Sequence, residues 1–137
     1  MSKKISTDRV SMKTIYDYGH TYTYQYEQVG TSPTGEPVYG YVRYDHNTRI
    51  SGYVNANTSS VYSHGKKVIA KGALTTESDS PIGDNGHSGA SGSVTSGNNQ
   101  SVYVEGKLIA GEGSPISTHS GASSEINGGV SNVYVGT

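Results

Sequence analysis

The sequence contains no cysteine, no tryptophan and no phenylalanine. Without cysteine there are no disulfide staples and no thiolate ligands for a metal. Only 31% of residues are apolar even with tyrosine counted. That is too little for an ordinary core, because burial must offset about 1–2 kcal/mol of backbone entropy per ordered residue. Charge is scarce as well, with 10 basic residues, 11 acidic ones and a net charge of -1. The clustered basic footprint of a nucleic-acid groove is therefore missing. No apolar run approaches the ~18 residues of a membrane helix. The opening Met1-Ser2-Lys3-Lys4-Ile5 leads into polar residues, so no secretory signal is expected. Nucleophile elbows, His-Glu-x-x-His helices and phosphate loops are also missing. Glu105, Glu112 and Glu125 sit in turn contexts whose spacing sets no pair across a cleft, so no enzyme is expected.

What is present is 19 glycines among abundant Ser, Thr and Asn, in a chain of 137 residues. Such a composition suits short strands and many turns, in one domain with room for an appendage. It leaves two classes, a weakly ordered Gly/Ser/Tyr-rich surface segment without metal or a small β structure cross-linked by a metal or a partner.

An internal repeat decides between them. Val61-Tyr62-Ser63-His64-Gly65-Lys66-Lys67-Val68-Ile69-Ala70 returns as Val102-Tyr103-Val104-Glu105-Gly106-Lys107-Leu108-Ile109-Ala110-Gly111, an offset of 41. A shortened third copy, Val133-Tyr134-Val135-Gly136-Thr137, follows after a further 31 residues and ends before its return strand. Each full copy reads as a strand, a tight turn and a second strand, hence a β-hairpin. Upstream of the copies lie Ile50-Ser51-Gly52, Val94-Thr95-Ser96-Gly97 and Ile126-Asn127-Gly128. Further back stands a histidine each time. His46 lies 15 residues before Val61, His87 lies 15 before Val102, and His119 lies 14 before Val133. Three units, each too small to bury its own face, can wrap around a pseudo-threefold axis and bring these histidines to one level. Three converging imidazoles form a site for a divalent metal, which would supply the cohesion that apolar residues cannot.

The segment from His46 to Thr137 resembles the PAAR-repeat proteins, the metal-capped cones that tip the central spikes of contractile phage tails and type VI secretion systems. The hairpin Val102–Ala110 stands where that family carries its Val-Phe-Val-Asn-Gly-Lys-Pro-Ala-Ala-Arg element, and Glu112-Gly113-Ser114-Pro115-Ile116-Ser117-Thr118-His119 resembles the turn and ligand that follow. The name-giving Pro-Ala-Ala-Arg is replaced by Val68-Ile69-Ala70-Lys71 and Leu108-Ile109-Ala110-Gly111, and the usual cysteine ligand is missing. The resemblance implies an all-β cone of short hairpins and one divalent ion near its apex, zinc, with iron as the alternative. The ion would be held by His46, His87, His119 and a fourth ligand. Of the remaining donors His20, His64 and Asp84, His20 is the preferred one, because His64 falls on a solvated hairpin turn. The implied role is structural. One copy caps a trimeric β-helical spike in a virion tail tip or baseplate and meets the target outer membrane on ejection. A type VI tip or adaptor is the alternative.

Residues 1–45 are expected to lie outside the cone, and residues 46–137 to form it. Tyr16, Tyr18, Tyr22, Tyr24 and Tyr26 occupy alternate positions, the period of a strand with one aromatic face. Val38–Tyr44 reads as its partner across a turn-rich Gly30–Pro37 segment, giving a long hairpin. Residues 1–13 read as a solvated or partner-ordered tail.

Overall fold

In each hairpin copy the two residues at the turn, His64-Gly65 and Glu105-Gly106, have φ of 53°, 79°, 52° and 81°. Two successive positive φ values give the turn whose twist matches a two-stranded ribbon. A computed structural model describes residues 2–129 and 133–136, all β among the described residues. The strands are β1 (Ser2–Lys4), β2 (Val10–Ser11), β3 (Ile15–Thr31), β4 (Pro37–Val54), β5 (Tyr62–Ser63), β6 (Lys66–Lys67) and β7 (Thr75–Ser80). They continue as β8 (Ser88–Ala90), β9 (Ser93–Val94), β10 (Tyr103–Val104), β11 (Lys107–Leu108), β12 (Pro115–Ser117), β13 (Ser123–Glu125) and β14 (Tyr134–Gly136). Pairing is antiparallel throughout.

The third copy finds its return strand at the other end of the chain. β1 pairs with β14, Lys4 opposite Tyr134, just as Lys67 stands opposite Tyr62 and Leu108 opposite Tyr103. The equivalence continues past the hairpins. Ser6 N–H donates to the Ala110 carbonyl, Ala110 N–H to Ile69, and Ile69 N–H back to Ser6, at 3.4, 3.0 and 3.0 Å. A second cycle runs from Asp8 to Lys67, Lys71 to Leu108 and Glu112 to Lys4. Each hairpin unit thus bonds to the next, and the last bonds to the first.

Burial follows the same register. Ile5, Val68 and Ile109 are buried at equivalent positions, as are Ser6, Ile69 and Ala110, and Val54, Val94 and Ile126. Such triplets let small elements share apolar clusters that none could build alone, one around Ile5, Val68, Val104 and Ile109 and a larger one around Ile50, Ile69, Val94 and Ile126. The tail expected over residues 1–13 is therefore corrected: Ile5, Ser6 and Met12 are core residues. The boundary drawn between residues 45 and 46 also falls inside β4, which crosses it without interruption.

The upstream element is corrected too. Asn55, Thr95 and Asn127 donate equivalently to Leu74, Pro115 and Ser11, so Val54, and not Ile50, matches Val94 and Ile126. The tyrosine hairpin forms as expected, β3 against β4 from Ile15↔Ile50 to Thr31↔Pro37. Its register shifts twice: Gly19, His20 and Thr21 bulge out between the pairs Tyr18↔Asn47 and Tyr22↔Asp45, opposite His46 alone, and Val29 is extra between Gln28↔Tyr39 and Gly30↔Val38.

Candidate metal centre

Four side chains converge where the bulge meets β7 and the two His-Ser-Gly-Ala turns: His20, Asp79, His87 and His119. One ligand atom from each lies within 4.8 Å of all the others. His119 Nε2 is 2.8 Å from Asp79 Oδ1 and 3.1 Å from His20 Nε2. His20 Nε2 is 3.3 Å from Asp79 Oδ1, and His87 Nδ1 is 3.4 Å from Asp79 Oδ2.

Local structure explains how each arrives. Extra residues in one strand of an antiparallel pair re-aim a side chain. The bulge turns His20 inward, with Gly19 at a φ of 85°. Asn85 then clamps it, its amide donating to the His20 carbonyl at 3.0 Å and its Oδ1 accepting from Tyr22 N–H at 2.9 Å. The Thr21 and Thr48 hydroxyls share a bond of 2.8 Å beneath. Along β7 the inward positions are Thr75, Glu77 and Asp79, the alternation of a half-buried strand. His87 is fixed by its backbone N–H, which donates to Asp79 Oδ2 at 2.8 Å. The space for this packing depends on Gly92, where a Cβ would stand 2.2 Å from the Ser117 carbonyl and 2.5 Å from Glu77 Oε2.

Glu77, fully buried, is the outer carboxylate of the centre. It accepts from His119 N–H at 2.9 Å and from His119 Nδ1 at 2.6 Å, and also from the Thr75 hydroxyl. A proton held on Nδ1 leaves His119 Nε2 facing Asp79 and His20. In the metal-free protein a proton on that atom as well would satisfy the Asp79 carboxylate opposite, which can only accept. Burial works against a charged His119 ring, but the Glu77 bond and the neighbouring Asp79 outweigh it and raise its pKa. Burial likewise opposes ionisation of Asp79. The His87 N–H bond and the His119 and His20 rings prevail, and its pKa is lowered.

The donor set fits a divalent ion. Two buried carboxylates, Asp79 and Glu77, stand among three imidazoles, a mixture of anionic and neutral donors suited to a cation. Ion-to-ligand distances of about 2.0–2.2 Å place the donors of a tetrahedral site about 3.3–3.6 Å apart, within the span of 2.8 to 4.8 Å over which these donors lie. The carboxylate–histidine pair Glu77–His119 is the usual outer support of an imidazole ligand. His20, His87, His119 and Asp79 would hold the ion.

Of the residues singled out from sequence, His20, His87 and His119 come together and His46 does not. β4 runs straight where the other two copies turn, so His46 is carried two residues beyond buried Thr48 and bonds Thr23 Oγ1 at 2.8 Å. Counted from the true anchor, His87 and His119 lie seven residues before Val94 and Ile126, whereas His46 lies eight before Val54. Asp84 accepts from Tyr24 N–H at 2.7 Å, bracing the hairpin. His64 is exposed on its turn. Asp79 and Glu77 were not foreseen; Thr75-Thr76-Glu77-Ser78-Asp79 alternates as a strand would, and a strand with two inward acids points to a cation. No protein-family model matches the chain, and no curated protein matches it either.

Two expectations follow. Glu77→Gln keeps the shape but weakens its hold on His119, and should lower metal affinity about 10–100-fold, measured by competition with a chromophoric chelator. The pH response should also change sign with loading. In metal-free protein, the His119 contribution is present below the ordinary histidine pKa and lost as pH rises through the raised value. The Asp79 contribution is present above the ordinary carboxylate pKa and lost as pH falls through the lowered one. Metal must displace the His119 Nε2 proton, so loading should instead weaken about tenfold per unit as pH falls below the raised histidine pKa. Melting curves with and without metal across pH 4–9 would show the crossing.

Proposed function

We propose that this protein is a structural spike tip, a metal-cross-linked cone that caps a trimeric β-helical spike and sharpens it for piercing a cell envelope. A phage-type tail tip is the preferred setting, with zinc as the ion. The observation that carries the reading is the closed cycle of hydrogen bonds linking three equivalent strand pairs beside a His3Asp group gathered around the buried Asp79. A threefold cycle is the arrangement that can mate with the threefold end of a trimer while using a single chain. The hairpins present Tyr62, Tyr103 and Tyr134 at equivalent, exposed positions, with Lys3, Lys4, Lys66, Lys67 and Lys107 beside them. Tyrosines in a ring, edged by lysines, suit a docking face whose partner is acidic at its rim. Four protein donors would also complete a tetrahedral shell around a bound ion, as in structural sites, leaving no position to activate water.

The test is assembly with a purified trimeric spike from a contractile tail. Native mass spectrometry should show one chain per trimer, and Tyr62→Ala/Tyr103→Ala should weaken the complex at least tenfold. A twofold dimer, or no complex with spikes of either phage or secretion-system type, would remove the proposal.

A further inference from the structure

Beyond the bulge, the β3/β4 hairpin carries a surface that neither the core nor the metal centre uses. The register pairs Tyr26 with Tyr41, Tyr24 with Arg43, Tyr22 with Asp45 and Gln28 with Tyr39, so all eight side chains share one face. Tyr26 and Tyr41 are 64% and 73% exposed, with Tyr24 and Tyr39 near half. The rings form two groups. Tyr26 packs on Tyr39 and Tyr41 at centroid distances of 5.8 and 5.1 Å. Tyr22 meets Tyr24 edge-on at 5.3 Å and carries the Arg43 guanidinium on its face at 3.8 Å. Between the groups lies an open slot of about 380 Å3 lined by Tyr24 and Tyr41.

The chemistry of the face selects its occupant. Every ring is capped by a hydroxyl, and no Leu, Ile or Phe joins them, so a lipid tail gains little. Arg43 is held by Asp45 at 2.7 Å. It is the sole cation among the eight side chains and is already paired with Asp45, so the face holds no free positive charge for phosphate-rich, sulfated or otherwise anionic ligands. What remains is a neutral ligand with apolar C–H faces and hydroxyl edges. Pyranose rings offer both, their C–H groups meeting the negative face of an aromatic ring and their hydroxyls meeting tyrosine oxygens. Tyrosines supply that contact at low entropic cost, having two side-chain torsions. Along β3 the rings recur about every 7 Å, an extended platform for several sugar units. We propose that this face of the hairpin binds a neutral polysaccharide, with one sugar ring seated between Tyr24 and Tyr41.

The proposal does not depend on the spike reading, and its test leaves that reading untouched. The intact metal-loaded chain is run through native gels containing dextran, galactomannan, β-glucan or, as the anionic case, alginate, and is mixed separately with phosphatidylcholine vesicles. The expected result is retardation by at least one neutral polymer, reduced about tenfold or more in Tyr24→Ala/Tyr41→Ala. Tyr62→Ala/Tyr103→Ala, which removes two exposed rings elsewhere, should keep full retardation. Metal content and melting temperature verify that the variants fold; if the double variant does not, Tyr41→Ala alone, at the most exposed ring, takes its place. Overturning results are no retardation in any neutral gel, retardation unchanged by loss of the rings, or binding confined to alginate or vesicles.

Discussion

Protein stripped of metal should melt about 8–20 °C below protein holding zinc at a thousand-fold excess over its dissociation constant. A ligand bound by the folded state alone adds about 4 kcal/mol at that excess, and a chain of this size shifts roughly 2–5 °C per kcal/mol. The effect is large because the centre joins parts remote in sequence. His20 comes from a bulge in the long hairpin, Asp79 from β7, and His87 and His119 from separate turns. One ion would thus tie together four segments whose shared apolar core is small. Elemental analysis should give one metal per chain. His119→Ala and Asp79→Ala should both abolish loading and the melting difference, since each removes a donor at the heart of the cluster. His46→Ala should leave loading unchanged, its ring being engaged with Thr23. Loss of metal in His46→Ala with retention in Asp79→Ala would refute this ligand assignment.

Ile5→Asp should destabilise the protein by about 4 kcal/mol or more, enough to unfold a marginal domain at room temperature. Ile5 is buried against Val68, Val104 and Ile109, and its N–H donates to Val133 as Val68 does to Val61 and Ile109 to Val102. An unpaired carboxylate there has no donor within its apolar surroundings, and burying such a group is among the costliest single changes. Lys3→Ala, two residues away and outside the buried set, should cost less than about 0.5 kcal/mol. Urea unfolding followed by tyrosine emission measures both. Equal effects would mean that the first strand contributes no core.

The two hairpin copies were legible because each carries its own signals: a Val-Tyr strand, a Gly-Lys turn and a β-branched return. The tyrosine hairpin was legible for the same local reason, period-two alternation on either side of a turn-rich segment. His87 and His119 stood out because their Ser-Gly-Ala contexts match. The third copy was only half visible. Its strands, β14 and β1, lie at opposite ends of the chain, and no window of sequence contains both. Met1–Lys13 accordingly looked like a tail, although a strand of three residues becomes stable once its partner and two neighbouring hairpins are in place.

The centre shows the same division. By itself the sequence determined that the fold is β, that it repeats, and that its cohesion has to come from something besides apolar bulk. Which donors meet was decided only in three dimensions. A bulge opposite His46 turns His20 inward, and the straight run of β4 carries His46 past the core. Asp79 and Glu77 reach the site because strand alternation, clamped by the β4 pairing, points both inward. Ligand geometry depends on where separate segments cross, and the crossing is set by core packing and backbone pairing between residues far apart in the chain.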